Sequence, residues 1–162
     1  KFPNTDDARA LPRIFMNYDP ILLEKEYLLL KKTTSNNRPL EGLSAPFLSH
    51  IQLDEPISIP RSLGSSVFAK IEVNLSLVGK LKAALIREPF LFIEVKKRSG
   101  NMHSYRLVRN IASSGFMLSP AVGNVWEYLS WADGGDKDEV TEIKLLQNYV
   151  LGFPAFQPEV GL

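Results

Sequence analysis

SVFAKIEVNLSLV, residues Ser66 to Val78, alternates apolar and polar side chains for about a dozen positions. In an extended chain Val67, Ala69, Ile71, Val73, Leu75 and Leu77 fall on one side and Phe68, Lys70, Glu72, Asn74 and Ser76 on the other. A period of two predicts one long strand with a buried and a wetter face.

The flanking segments repeat the theme. Downstream, Leu81, Ala83 and Leu85 of KLKAALIRE alternate again; the alanines and leucines suit a short helix equally, and the strands on either side favour β. Pro89 then breaks the chain before FLFIEVKKRSG, a run of aromatic and β-branched residues closed by a Ser-Gly turn signal. Met102 to Val108 comes after a short turn, which predicts a hairpin. Gly115 to Pro120, GFMLSP, reads as a short apolar strand. Asn124 is a good N-cap for a helix over Val125 to Ala132, with Gly134-Gly135 as its stop. Val140 to Leu146 is the last clear strand, with Tyr149 to Phe156 as its extension.

Upstream, residues 1–19 read as an irregular, proline-bearing lead-in that packs Ile14, Phe15 and Tyr18 against the body. Glu26 to Thr34 is a strand that ends in the turn-rich TTSNNRPLEG. Phe47 to Leu53 alternates and runs through Pro56 into ISIP, a piece that Pro56 and Pro60 confine to a sheet edge or strand end. Eight or nine strands at this spacing predict an all-β chain, a two-sheet β-sandwich of jelly-roll, carbohydrate-binding-module-like type with one short helix near 125–132. The 162 residues fit a single domain.

Composition narrows the function classes. A net charge of +1 provides no broad electrostatic footprint for nucleic acid. The absence of cysteine excludes disulfides, thiolate metal sites and cysteine nucleophiles. No apolar run reaches the ~18 residues that a membrane span needs. A start at Lys1 without a signal-peptide pattern reads as a processed protein or an excised fragment.

Chemistry-bearing patterns are sparse. His50 and His103 lie on expected strands without a partner at metal spacing, and read as ordinary histidines. SLGSS at 62–66 is a plain turn, not a nucleophile elbow, and no phosphate-binding glycine loop appears. Asp133, Asp136, Asp138 and Glu139 crowd one turn; the spacing does not match a calcium loop, so a solvated turn is favoured over a structural calcium site. Asn74-Leu75-Ser76 fits a glycosylation acceptor but falls within a strand. Glu72 and Glu94 would serve glycoside hydrolysis only if they faced a common cleft; outward-facing strand residues is the plainer reading.

Aromatic residues are the better lead, because a flat ring stacks on the apolar face of a pyranose. Trp126, Tyr128 and Trp131 cluster on the expected helix; the plainer reading is that Leu129 and an aromatic enter the core to cap the sandwich, and the sharper one leaves Trp126 or Trp131 exposed as a ligand platform. Tyr105 stands beside Arg106, which together with Arg109 would supply forked donors for an anionic sugar or phosphate.

The order of EYLLLKK, VFAKIEVNLSLVGKL, FLFIEVKKRSGNMHSYRLV and SSGFMLSPAVGNVWEYLSWADGG before VTEIKLL resembles the C-terminal extracytoplasmic jelly-roll domain of bacterial polytopic membrane glycosyltransferase-like proteins of the mannosyltransferase type. GFMLSP at 115–120, with Asn124 and Tyr128-Leu129, carries the likeness. It implies transferase chemistry in a membrane-embedded portion of the same chain, no catalytic residue here, and no cofactor. It also implies an accessory ectodomain on the outer side of the cytoplasmic membrane that positions a glycan or lipid-linked saccharide, or a partner; the reading of the residues themselves gives Trp126, Trp131, Tyr105 and Arg106 as the expected ligand-binding residues. The alternatives are a structural or protein-interaction domain without a sugar site and, ranked last, a small jelly-roll enzyme.

Overall fold

The computed structural model describes residues 10, 14, 17–25, 27–33, 50–60, 66–132 and 138–161; for 50, 51, 131, 132 and 159–161 it describes the backbone alone. Strands dominate. In chain order the elements are β1 (Tyr18–Glu24), β2 (Tyr27–Lys32), β3 (His50–Gln52), β4 (Pro56–Ser58), β5 (Val67–Ala69), β6 (Glu72–Leu75) and helix α1 (Leu77–Leu85). After α1 come β7 (Leu91–Lys97), β8 (Met102–Leu107), the single turn α2 (Arg109–Ala112), β9 (Phe116–Ser119), α3 (Val125–Ala132), β10 (Val140–Gln147), β11 (Tyr149–Val150), β12 (Phe153–Pro154) and β13 (Phe156–Gly161).

The largest sheet runs β4-β10-β7-β8, and a second runs β3-β13-β6. β5 pairs with β9, while β1–β2 and β11–β12 are separate hairpins. Every pairing is antiparallel. Leu91, Ile93 and Val95 on β7 and Ile143 and Leu145 on β10 turn inward to join Val73, Leu75, Phe116, Leu118 and Phe156 in one core. Each such full burial contributes about 1.5–3 kcal/mol relative to exposure. β9 is buried on both sides: Phe116 and Leu118 belong to that core, whereas Met117 packs with Tyr128 of α3, Leu28, Leu30, Val122 and Leu129. The continuous apolar run FMLS reflects this double burial.

The all-β expectation holds, as do the β7–β8 hairpin, β9, the Asn124-capped helix and β10. Pro56 opens β4 at the sheet edge, where a missing N–H costs nothing. The long strand over Ser66 to Val78 does not form. The chain pairs with β9 as far as Ala69, then crosses to pair with β13 from Glu72. At the crossing the Ile71 N–H donates to the Ala112 carbonyl at 3.0 Å. Side chains still alternate, with Ala69, Ile71, Val73 and Leu75 buried, because the backbone stays extended across the corner.

At Ser76 the strand ends outright. The Ser76 hydroxyl accepts from the Gly79 N–H at 3.1 Å and donates to the Pro154 carbonyl at 2.7 Å. This N-cap starts α1, so the β expectation for Leu81 to Leu85 is corrected to helix. Gly79 faces Ala155 so closely that a Cβ would lie 1.9 Å from its carbonyl oxygen. The helix therefore seats Gly79 inward, with Ala83 half-buried against the core, and carries Leu77, Leu81 and Leu85 outward.

Two smaller corrections arise from turn chemistry. The lead-in boundary at residue 19 moves, because β1 begins at Tyr18 and pairs with β2; its register slips between Pro20 and Leu22, beside the proline that cannot donate. Tyr149 to Phe156 does not extend β10. Leu151 and Gly152, with φ of 52° and 81°, form a two-residue turn that folds β11 back on β12. The expected Gly134-Gly135 stop, the TTSNNRPLEG loop from Thr34 on, the first three residues of the expected Phe47 to Leu53 strand and the SLGSS turn up to Ser65 lie outside the described residues.

Candidate functional site

Helix α3 starts at its own cap and reaches the end of β7 through Glu127. Asn124 Oδ1 accepts from the Glu127 N–H at 2.9 Å, and Glu127 Oε2 accepts from the Gly123 N–H at 2.6 Å. This reciprocal arrangement satisfies two donors that a helix start leaves open. The second Glu127 oxygen, Oε1, lies 3.9 Å from Lys97 Nζ at the end of β7. The Lys97 side chain is only 10% exposed, so the carboxylate compensates an ammonium largely removed from water.

Tyr105 on β8 completes the group. Its phenol is held above its ordinary value of 10.0, first by burial and second by the negative charge of Glu127. His103, two residues back on the same face, stacks on the Tyr105 ring with centroids 6.0 Å apart. Trp126, beside Glu127 in sequence, is 64% exposed at the start of α3. Glu127, Lys97 and Tyr105 thus put an acid, an ammonium and a phenol together, and Trp126 adds an exposed ring one residue along the helix, about 100° round its axis. Such a surface can stack on an apolar face and exchange hydrogen bonds with hydroxyls.

The four expected ligand-binding residues are not brought together. Tyr105 and Arg106 are consecutive on a strand and face opposite sides of the sheet. Tyr105 lies opposite Ile93 on the core side, while Arg106 lies opposite Phe92 on the outer side. There the Arg106 guanidinium sits 4.1 Å over the Phe90 ring, with Arg87 at 4.6 Å from the same centroid and Phe92 edge-on at 6.3 Å. Arg109 is engaged by Glu88 at 2.6 Å, so it does not form a fork with Arg106. The backbone of Trp131 lies in α3; its ring is outside the described residues. Among the described side chains of α3, Tyr128 is the aromatic that enters the interior, and Leu129 packs beside it.

Glu72 and Glu94 stand on different sheets. Their strand neighbours Val73 and Val95 point into the one core, so both carboxylates point away from it. Glu72 pairs with Lys70 at 2.6 Å. Of the acidic turn, Asp138 accepts from the Ser99 N–H and hydroxyl at 3.0 and 2.9 Å, and Glu139 pairs with Arg98. Asp133 and Asp136 lie outside the described residues, and among those described no three acidic or histidine side chains gather as a metal site. His50 is on β3, with its side chain likewise outside the description.

Sequence reasoning missed Lys97 and Glu127. The Asn-x-x-Glu spacing of a capping box marks Glu127 locally. Nothing local joins it to Lys97, thirty residues away. The chain matches no protein-family profile, no curated protein and no solved structure.

Proposed function

We propose that this chain is a non-catalytic, carbohydrate-binding-like accessory domain of jelly-roll type. In this reading it belongs to a bacterial glycosyltransferase-like membrane protein, stands on the outer side of the cytoplasmic membrane and positions a glycan acceptor. The observation that carries it is the exposed Trp126 on the same helix turn as Glu127, the residue that joins Lys97 and Tyr105. An exposed indole next to partly desolvated polar groups is the combination a sugar needs, with stacking on its C–H face and directional bonds to its hydroxyls. The antiparallel strands with one shared core support the sandwich form.

Trp126 also provides the test. Titration of the chain with a panel of neutral and acidic oligosaccharides, monitored by ligand-observed NMR, should detect binding that Trp126→Ala abolishes. Thermal stability should change by no more than about 0.5 kcal/mol, since the ring is on the surface. Binding that survives the substitution, or no binding to any sugar, would refute the glycan site and favour the structural or protein-interaction alternative.

A further inference from the structure

Helix α1 is amphipathic in the reverse of the usual sense. At 100° per residue, Leu77, Leu81 and Leu85 occupy an arc of about 80°, while Gly79 and Ala83 lie on the opposite side. The inward side is settled by the Gly79–Ala155 approach and by the Ser76 N–H, which donates to the Ala155 carbonyl at 3.1 Å. The leucines are left 84, 60 and 74% exposed. The helix lies against the β11–β12 hairpin, whose tip residue Leu151 is 91% exposed, with Tyr149 and Phe153 exposed behind it. The leucines make a ridge along α1, and the hairpin that touches the helix carries exposed apolar side chains of its own.

Charge is of one sign along this ridge. From Leu77 to Arg87 the charged residues are Lys80, Lys82 and Arg87, and the hairpin segment 148–154 carries none. Glu88, the next acid, is engaged by Arg109. Another exposed apolar group among the described residues, Ile21, Leu22, Tyr27 and Leu29 on the β1–β2 hairpin, stands among Asp19, Glu24, Lys25 and Lys31, which are of mixed sign.

We infer that the α1 face and the adjoining hairpin tip dock on an anionic phospholipid surface. Leucines on one face of a basic helix insert at the headgroup boundary, while the lysines stay at phosphate level. A protruding ridge suits a fluid interface, which closes around each side chain; a protein partner would need a rigid groove shaped to it. The uniformly positive flank matches the negative potential of anionic lipid and not a neutral apolar surface. The inference is independent of the glycan reading, because it uses none of Trp126, Glu127, Lys97 or Tyr105.

Co-sedimentation with vesicles of phosphatidylcholine and phosphatidylglycerol in equal parts, and with pure phosphatidylcholine, tests it. The chain should partition onto the mixed vesicles and much less onto the neutral ones, with an affinity that falls as salt is raised. Lys80→Gln should weaken binding roughly fivefold. Leu81→Glu, at a side chain with little to lose in the folded state, should weaken it by about tenfold or more while the circular-dichroism melt is unchanged. Equal partition of wild type and Leu81→Glu, or no affinity for either vesicle, overturns the inference. So does a dimer in analytical ultracentrifugation that Leu81→Glu dissolves, since a second copy would then cover the face.

Discussion

Gly79→Ala tests the seat of helix α1, on which the outward leucine face depends. Helix propensity alone favours the change by about 1 kcal/mol, as alanine is the better former. The structure opposes it: the added Cβ would lie 1.9 Å from the Ala155 carbonyl oxygen and 3.3 Å from Leu75 Cδ2. The nearer obstacle is backbone, so the helix must lift by about 1 Å or more to restore a normal contact of roughly 3.2 Å. Overpacking of this kind costs about 1–3 kcal/mol. Lifting also stretches the Ser76 N–H bond to Ala155 and the Ser76 hydroxyl bond to Pro154, now 3.1 and 2.7 Å, which contribute about 1 kcal/mol each or less at the surface. The balance is a net loss of about 2 kcal/mol, or roughly 4–8 °C in Tm for a chain of this size. Urea denaturation of the variant beside Ala84→Gly, on the exposed side, separates packing from propensity. Ala84→Gly should cost about 1 kcal/mol through propensity alone. A Gly79→Ala variant as stable as wild type, or more so, would refute the close approach and with it the inward orientation of Gly79.

Ser119 is buried, and its hydroxyl accepts from the buried Val140 N–H at 3.1 Å, tying β9 to β10; Ser119→Ala leaves that amide unpaired and should cost about 1–3 kcal/mol in urea melts. A loss within 0.5 kcal/mol, the scatter of about that size expected for surface changes, would show that the bond contributes nothing. Tyr105 provides a pH test. Because its phenol is held above 10.0 in the folded chain, the folded form keeps its proton after the unfolded chain has lost it. Its contribution is fully present below pH 10 and is lost as pH rises through the higher folded value. The alkaline fall in urea midpoint should therefore be shallower in Tyr105→Phe than in wild type, and identical slopes would sink the assignment.

Much of the fold was legible because burial of alternate side chains is a local property. The alternation from Val67 to Leu77 puts six side chains on one face; Ala69, Ile71, Val73 and Leu75 are buried, Val67 is half-buried, and Leu77, past the end of the strand, is exposed. It is silent on partners, so one apparent strand proves to be two in different sheets. The α1 correction is of another kind, since the signals were present. Ser76 is a good cap, and Leu77, Leu81 and Leu85 lie at helical spacing. Leu81, Ala83 and Leu85 satisfy the strand period equally well, and the usual rule that leucine points inward argues against the face they adopt.

The candidate site divides along the same line. The sequence by itself determined that the chain is rich in strands, that Asn124 starts a helix and that Trp126 and Tyr128 belong to it, because caps and periodicity act within a few residues. The tertiary structure alone decided that Tyr128 is buried while Trp126 is exposed, that Tyr105 meets Glu127 while Arg106 turns to Phe90, and that Lys97 pairs across thirty residues. Those outcomes depend on where α3 settles, and that position is set by the packing of Tyr128 and Leu129 with Met117 of β9 and with Leu28 and Leu30 of β2, the last two distant in the chain.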